Sequence, residues 1–328
     1  MTTNSTNPIV EPELSLADAQ RDSCLEALHR DGYFILPCKA PADMLARANA
    51  YIDGFCSDAS RYMAESALQQ TNIVELDPVF REFLMFKPVL QMCYDCFGPM
   101  FHLGQDKWTR KYRKQDLPPG LEDDRSAIPW HSDGPIGFPE IDGHVPFHTL
   151  RCGFLLSDTF HERSGTVELM RASHIHMRCA FAQQELRFRP VTINEAIQTE
   201  GYLTDDDQGS DPAKYSENHD VIQAEAGTIF GFQNGCWHRG LPNDSSHPRT
   251  IVYFQYSPSM IHPLHRDTPN PSDLSGYTEE ERWLLHEPKT AESTVYGSAA
   301  DKMRMDRFRR SDACADADCY ERRLKEKA

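Results

Sequence analysis

Residues 230–256 read FGFQNGCWHRGLPNDSSHPRTIVYFQY, and the order of features along this stretch decides the fold class. The apolar GTIFGFQ runs into the turn-like NGC, and His238 follows. LPNDSSHP then separates it from RTIVYFQYSP, a second β-type run opened by Arg249. Short β-branched and aromatic runs punctuated by Gly, Pro, Asn and Ser read as strands joined by tight turns. Working outward, MFHLGQDKW (100–108), TLRCGFLLSD (149–158), GTVELM (165–170) and DVIQAEAGTIFGF (220–232) have the same character, without long helices between them. That succession predicts an antiparallel sandwich or barrel.

The first hundred residues differ. LADAQRDSCLEALHRDG (16–32) predicts an amphipathic helix with Leu16, Ala19, Cys24, Leu25 and Leu28 on one side and Gly32 as its stop. YFILP (33–37) predicts a short strand ended by Pro37, APADMLARANAYIDGF (40–55) a second helix, and DPVFREFLMFKPVLQMCYDCFG (77–98) one or two more. Residues 1–14 are polar and expected to be disordered. A single domain is expected over 15–266, helical to about 98 with its β core over about 99–260, and 267–328 reads as a C-terminal appendage that packs on the body or on another subunit of a homo-oligomer. TDDDQGSDPAKYSENHD (204–220) reads as a long exposed loop.

Composition narrows the function classes. The 328 residues are 39% hydrophobic and 26% charged, ordinary for a globular protein, and no apolar run is long enough for a membrane span. The N-terminus lacks the basic start and apolar stretch of a secretory signal, so a cytoplasmic location is expected. A net charge of -16 argues against nucleic acid as a partner, since phosphate binding needs basic patches. A small-molecule substrate is expected instead. Ten scattered cysteines read as free thiols, and the Cys93–Cys96 C-x-x-C, with no second pair, as part of a buried helix.

Chemistry concentrates in PWHSDGP (129–135). On an extended backbone His131 and Asp133, one residue apart, project to the same side. His238 supplies a second imidazole, and Arg249 stands eleven positions beyond it. Two histidines and a carboxylate are the facial donor set of non-haem iron(II) oxygenases, leaving positions open for cosubstrate and dioxygen. A structural zinc site would be closed, tetrahedral and usually rich in cysteine. His174 and His176 form an H-x-H, but they follow ELMRAS, where the strand ends.

With these residues in hand, the sequence resembles the phytanoyl-CoA dioxygenase family of iron(II)/2-oxoglutarate-dependent oxygenases over about residues 20–260. ALHRDGYFILP is similar to its helix-to-strand entry and PWHSDGP to its first ligand motif. LRCGFLLSDTFHERSGTVELMRASH is similar to its central strands, and GCWHRGLPNDSSHPRTIVYFQYSP to its distal histidine and arginine segment. The resemblance implies a mainly β fold with flanking helices, a double-stranded β-helix (jelly-roll or cupin-like barrel) behind a helical N-terminal region. It implies His131, Asp133 and His238 as Fe(II) ligands and Arg249 on the far carboxylate of 2-oxoglutarate. Thr149 is a second candidate contact to that cosubstrate, and Gln105, Trp108 and Arg110 are candidates for the substrate pocket. The implied reaction consumes 2-oxoglutarate and O2, releases succinate and CO2, and hydroxylates or otherwise oxidises a small metabolite. Asp133 favours oxygen transfer, since related halogenases lack the carboxylate. The chain departs from the family at Arg171-Ala172-Ser173-His174, where Pro-Gly-Ser-His is usual. Two alternatives are a cupin-like metal hydrolase or isomerase, which leaves Arg249 unexplained, and a non-catalytic binding protein of the same fold.

Overall fold

The computed structural model describes residues 16–56, 67–98, 100–113, 128–131, 133, 146–161, 163–176, 219–261 and 275–285. The expectations for 1–14, most of the 204–220 loop and most of the C-terminal appendage lie outside these residues.

Helix α1 (Asp18–Asp31) ends at Gly32, whose φ of 89° is open to glycine at little cost and whose N–H closes the last turn on the Leu28 carbonyl. α2 (Ala42–Cys56) follows strand β1 (Tyr33–Lys39). The double apolar segment resolves into α3 (Pro78–Leu84) and α4 (Lys87–Phe97). Asp77 caps α3 by accepting from the Val79 N–H at 2.9 Å, and a proline opens the first turn of each helix, where no hydrogen bond is lost.

The remaining strands are β2 (Ala67–Thr71), β3 (Phe101–Lys111), β4 (Ile128–His131), β5 (Leu150–Leu155), β6 (Val167–Met170), β7 (His219–Val221), β8 (Thr228–Gln233), β9 (His238–Gly240) and β10 (Arg249–Pro258). They form two antiparallel sheets, a six-stranded one in the order β1-β8-β5-β10-β3-β2 and a four-stranded one in the order β4-β9-β6-β7. Among the described residues the sheets stay separate and no barrel closes, so the expected barrel takes the form of two facing layers.

Alternation along each strand assigns the layers. On the large sheet Trp108, Cys152, Phe154, Ile229, Val252 and Phe254 pack in one core with Leu28, Ile52, Phe80, Phe83 and Val89 of the helices. Phe83 meets Phe154 edge to face at 5.1 Å, a contact worth about 0.5–1.5 kcal/mol beyond its buried area. The other face turns toward the small sheet, where Leu155, Phe230, Phe232 and Ile251 join Val167 and Leu169 in a second cluster. Gly153 is required there: a Cβ would stand 2.4 Å from Cζ of Phe230, whose ring covers the position.

Three elements differ from the sequence-based expectation. β1 continues past Pro37 to Lys39, because it is an edge strand with an irregularity between Ile35 and Lys39 that absorbs the missing N–H. β2 forms from ALQQT, a sequence of low strand propensity, by pairing along β3. β7 begins at His219, within the expected loop and one residue before the β-type run read from Asp220, and pairs with β6. In the C-terminal region, α6 (Glu279–Leu284) carries a reciprocal cap between Thr278 and Glu281. Leu284 and Leu285 enter the helical core and Arg81 lies over the Tyr277 ring, so this part of the appendage packs on the body.

Candidate active site

β4 and β9 are adjacent in the small sheet, and their register sets His131 directly across from His238. The side chain of His131 lies outside the described part of the structure. His238 is buried, with the Phe232 ring packed on it at a centroid distance of 4.5 Å. Its Nδ1 stands 3.0 Å from the Cys236 carbonyl, a partner that can only accept, so Nδ1 carries the proton and Nε2 presents a lone pair. That Nε2 is 3.7 Å from Oδ2 of Asp133.

Among the described residues no group of three His, Cys, Asp or Glu side chains gathers to hold a metal. Asp133 and His238 do meet, and the donor chemistry fits a divalent cation. The Cys236 carbonyl on Nδ1 fixes the imidazole tautomer as metal-binding histidines require, and sets the Nε2 lone pair beside the Asp133 carboxylate.

Arg249 opens β10 on the face turned to the small sheet. Only 4% exposed, it donates from Nε to the Gly165 carbonyl at 2.5 Å and from Nη1 to the Thr109 hydroxyl at 2.8 Å. Among the described residues no carboxylate lies within ion-pair distance of it. Burial pushes its pKa down from the ordinary arginine value, the electrostatic mark of a cation held without a counter-charge.

Thr149 lies at the start of β5, its hydroxyl 3.1 Å from that of Ser257 and its N–H on the Asn234 side-chain carbonyl. Gln105 occupies the inner face, where its Oε1 accepts from Arg151 at 3.1 Å. Trp108 and Arg110, grouped with it in the sequence, point to the opposite face of β3. Trp108 is fully buried in the helical core edge-to-face with Phe55, and Arg110 bonds Thr250 and pairs with Asp53 of α2. A strand's two-residue period accounts for the correction: from Gln105 to Lys111 the odd positions of β3 share the inner face with Arg249 and Gln255 and the even ones face the helices, while the irregularity opposite Gln255 and Tyr256 reverses the parity and sends Phe101 and Leu103 into the helical core.

Four residues at this site were not singled out from the sequence. Arg151 places Nη1 2.9 Å from Oδ2 of Asp133. Gln255, its cross-strand partner, accepts from Nη2 at 2.8 Å. Tyr253 lies electrostatically between the two ends of the cavity: burial raises its pKa, the charges of Arg249 and Arg151 pull it down, and Asp133 pushes it up. Lys111, buried, pairs in register with Arg249. A single charge inside the apolar run LRCGFLL was the available signal for Arg151.

The divergent Arg171-Ala172-Ser173-His174 segment forms the turn into α5 (Ser173–His176). Ala172 takes a φ of 57°, a left-handed conformation that a glycine would adopt without strain. His174 sets Nε2 3.0 Å from the His29 carbonyl on α1.

The fold is shared with solved structures that include non-heme alpha ketoglutarate-dependent enzymes. The epimerase SnoN, in complex with Fe3+, alpha ketoglutarate and nogalamycin RO, superposes with a TM-score of 0.55 at 15% identity over 74% of this chain and 85% of its own. The alpha ketoglutarate-dependent carbocyclase SnoK from nogalamycin biosynthesis gives 0.52 at 13% identity over 74% and 85%. HygX from Streptomyces hygroscopicus, with nickel and 2-oxoglutarate bound, gives 0.54 at 12% identity over 80% and 94%. No protein-family model matches the chain, and no curated protein matches it in sequence. No helix among the described residues is long and apolar enough to cross a membrane.

Proposed function

We propose that this chain is an iron(II)- and 2-oxoglutarate-dependent oxygenase of the phytanoyl-CoA dioxygenase type, built on a double-stranded β-helix and acting on a small molecule. His131, Asp133 and His238 would hold the metal, and Arg249 the far carboxylate of 2-oxoglutarate. The observation that carries the proposal is the pairing of a two-donor corner, Asp133 with His238, with a buried guanidinium that has no carboxylate among the described residues. When bound, iron(II) with 2-oxoglutarate supplies the activation of dioxygen for a two-electron oxidation of the substrate.

The chain's own residues do the rest. Cys236 holds the His238 tautomer, and Gly165 and Thr109 fix the Arg249 fork, so that a planar carboxylate finds its donors already aimed. Thr149 and Ser257 place a hydroxyl pair on the same inner face. Asp133 supplies a third protein donor, which favours oxygen transfer over halogenation. SnoN is an epimerase and SnoK a carbocyclase, so this fold supports outcomes beyond hydroxylation. A metal-dependent hydrolase or isomerase would leave Arg249 without a role.

The test is anaerobic loading with Fe(II), followed by measurement of O2-dependent conversion of 2-oxoglutarate to succinate with and without candidate metabolites. Metal-dependent succinate release is expected. Failure of the metal-loaded protein both to bind 2-oxoglutarate and to turn it over would reject the proposal.

A further inference from the structure

Arg151 is poorly matched by its own surroundings. Its side chain is 12% exposed, Nη1 lies 2.9 Å from Asp133, and Nη2 donates to Gln105 at 3.1 Å and Gln255 at 2.8 Å. The Nε donor is buried with no hydrogen-bond partner. Both glutamines are neutral, so Asp133 is the single carboxylate paired with this cation among the described residues. Asp133 is also the proposed metal ligand, and a divalent ion there takes up the charge that balances Arg151.

The inner face then offers two guanidiniums to one cosubstrate. On the proposed assignment one carboxylate of 2-oxoglutarate would go to the metal and the other to Arg249, which shares its face of β10 with Gln255. Arg151 remains, beside the metal, with its donors fixed by two amides. Its cross-strand neighbour Phe232 stacks with Phe230 at 6.2 Å, and Tyr33 registers beyond it, so an aromatic wall flanks the cation.

We propose that Arg151, oriented by Gln105 and Gln255, is the substrate-recognition residue of this site and that the substrate is a small carboxylate with an apolar or aromatic body. This rests on the 2-oxoglutarate assignment above. With Nη2 held by both glutamines and Nη1 shared with Asp133, the cation discriminates a carboxylate from its neutral amide by charge and through the donor that Nε and Nη1 each still carry.

The experiment uses the full chain loaded with Ni(II), inert toward dioxygen turnover, and 2-oxoglutarate, titrated calorimetrically with benzoate and with benzamide. Benzoate is expected to bind about tenfold or more tightly than benzamide, as for hydrogen bonds to a charged group. Arg151→Gln should erase that preference while 2-oxoglutarate affinity stays within about threefold of wild type. Gln255→Glu, which supplies an internal carboxylate beside Nη2, should erase it too and carries the test if Arg151→Gln does not fold. Equal binding of benzoate and benzamide to the wild type overturns the proposal, as does a preference that survives the folded variants. A loss of 2-oxoglutarate affinity of about tenfold in Arg151→Gln also overturns it, because the guanidinium then serves the cosubstrate. Wild type that binds no 2-oxoglutarate yet still prefers benzoate through Arg151 would instead refute the oxygenase assignment and leave the anion site standing.

Discussion

Thr109 accepts a hydrogen bond from Nη1 of Arg249 at 2.8 Å, across the β3–β10 pair, and so fixes one arm of a guanidinium that is only 4% exposed. Arg249→Ala should weaken 2-oxoglutarate binding by about 2–5 kcal/mol, roughly thirtyfold or more, because a desolvated charge pair is lost. Thr109→Val leaves the charge and removes the tether, so a smaller loss of about 1 kcal/mol is expected. Anaerobic titration of the Fe(II) protein with 2-oxoglutarate reads both, and an unchanged affinity in Arg249→Ala would sink the assignment.

Alanine at His131, Asp133 or His238 should abolish succinate formation and reduce bound iron. Iron content by elemental analysis separates loss of the metal from loss of the fold, which circular dichroism monitors. Full turnover with wild-type iron in any of the three would remove that residue from the donor set.

Gly153 carries a prediction about stability alone. A methyl group there meets the Phe230 ring at 2.4 Å, so Gly153→Ala should cost about 1–3 kcal/mol by overpacking. Phe230→Leu makes room, and the double variant should melt higher than the sum of the single losses predicts. Additive losses would show that the two residues do not share the space.

His148 contributes a pH dependence. Burial holds its imidazole pKa below the ordinary value, with a weaker opposing effect from the Pro146 carbonyl that accepts from Nδ1. The unfolded chain therefore takes up a proton near pH 6.5 before the folded one does, and this contribution to stability falls as pH drops through 6.5 toward the lower folded value. Above pH 6.5 it is unchanged. His148→Gln should flatten that part of the profile when urea midpoints are compared at pH 7.5 and 5.5, and an identical slope in the variant would count against it.

The C-x-x-C of α4 should be inert. Burial pushes the Cys96 thiol up to about 12 and the Cys93 and Cys152 thiols upward as well. Iodoacetamide at pH 8 should leave all three unmodified in the native protein and label them after denaturation, as mass spectrometry of peptides would show. Rapid native labelling of Cys96 would contradict its burial.

Much of this architecture was legible in residue patterns. The Gly32 stop, the two-part helix from Pro78 and the strand opened by Arg249 all follow from local signals that tertiary structure left in place. β2 was not legible, because ALQQT becomes a strand only by pairing with β3. Trp108 and Arg110 were misplaced for a different reason. Both lie in the right strand, but one residue of register reverses the face, and the sequence of β3 is polar and apolar on both sides. Arg151 escaped notice since its role depends on Asp133, Gln105 and Gln255, three residues on three other segments brought together only by folding.

β10 divides its labour by parity. Val252 and Phe254 are fixed by the helical core, so whether the chain folds is decided at even positions. Arg249, Tyr253 and Gln255 lie on the inner face, where Ile251 joins the second apolar cluster, so which molecule is recognised is decided at odd ones. A substrate pocket arranged in this way can change its occupant by exchanging Gln255, Gln105 or Arg151 while the helical layer beneath is left untouched, so stability sets few limits on how specificity drifts.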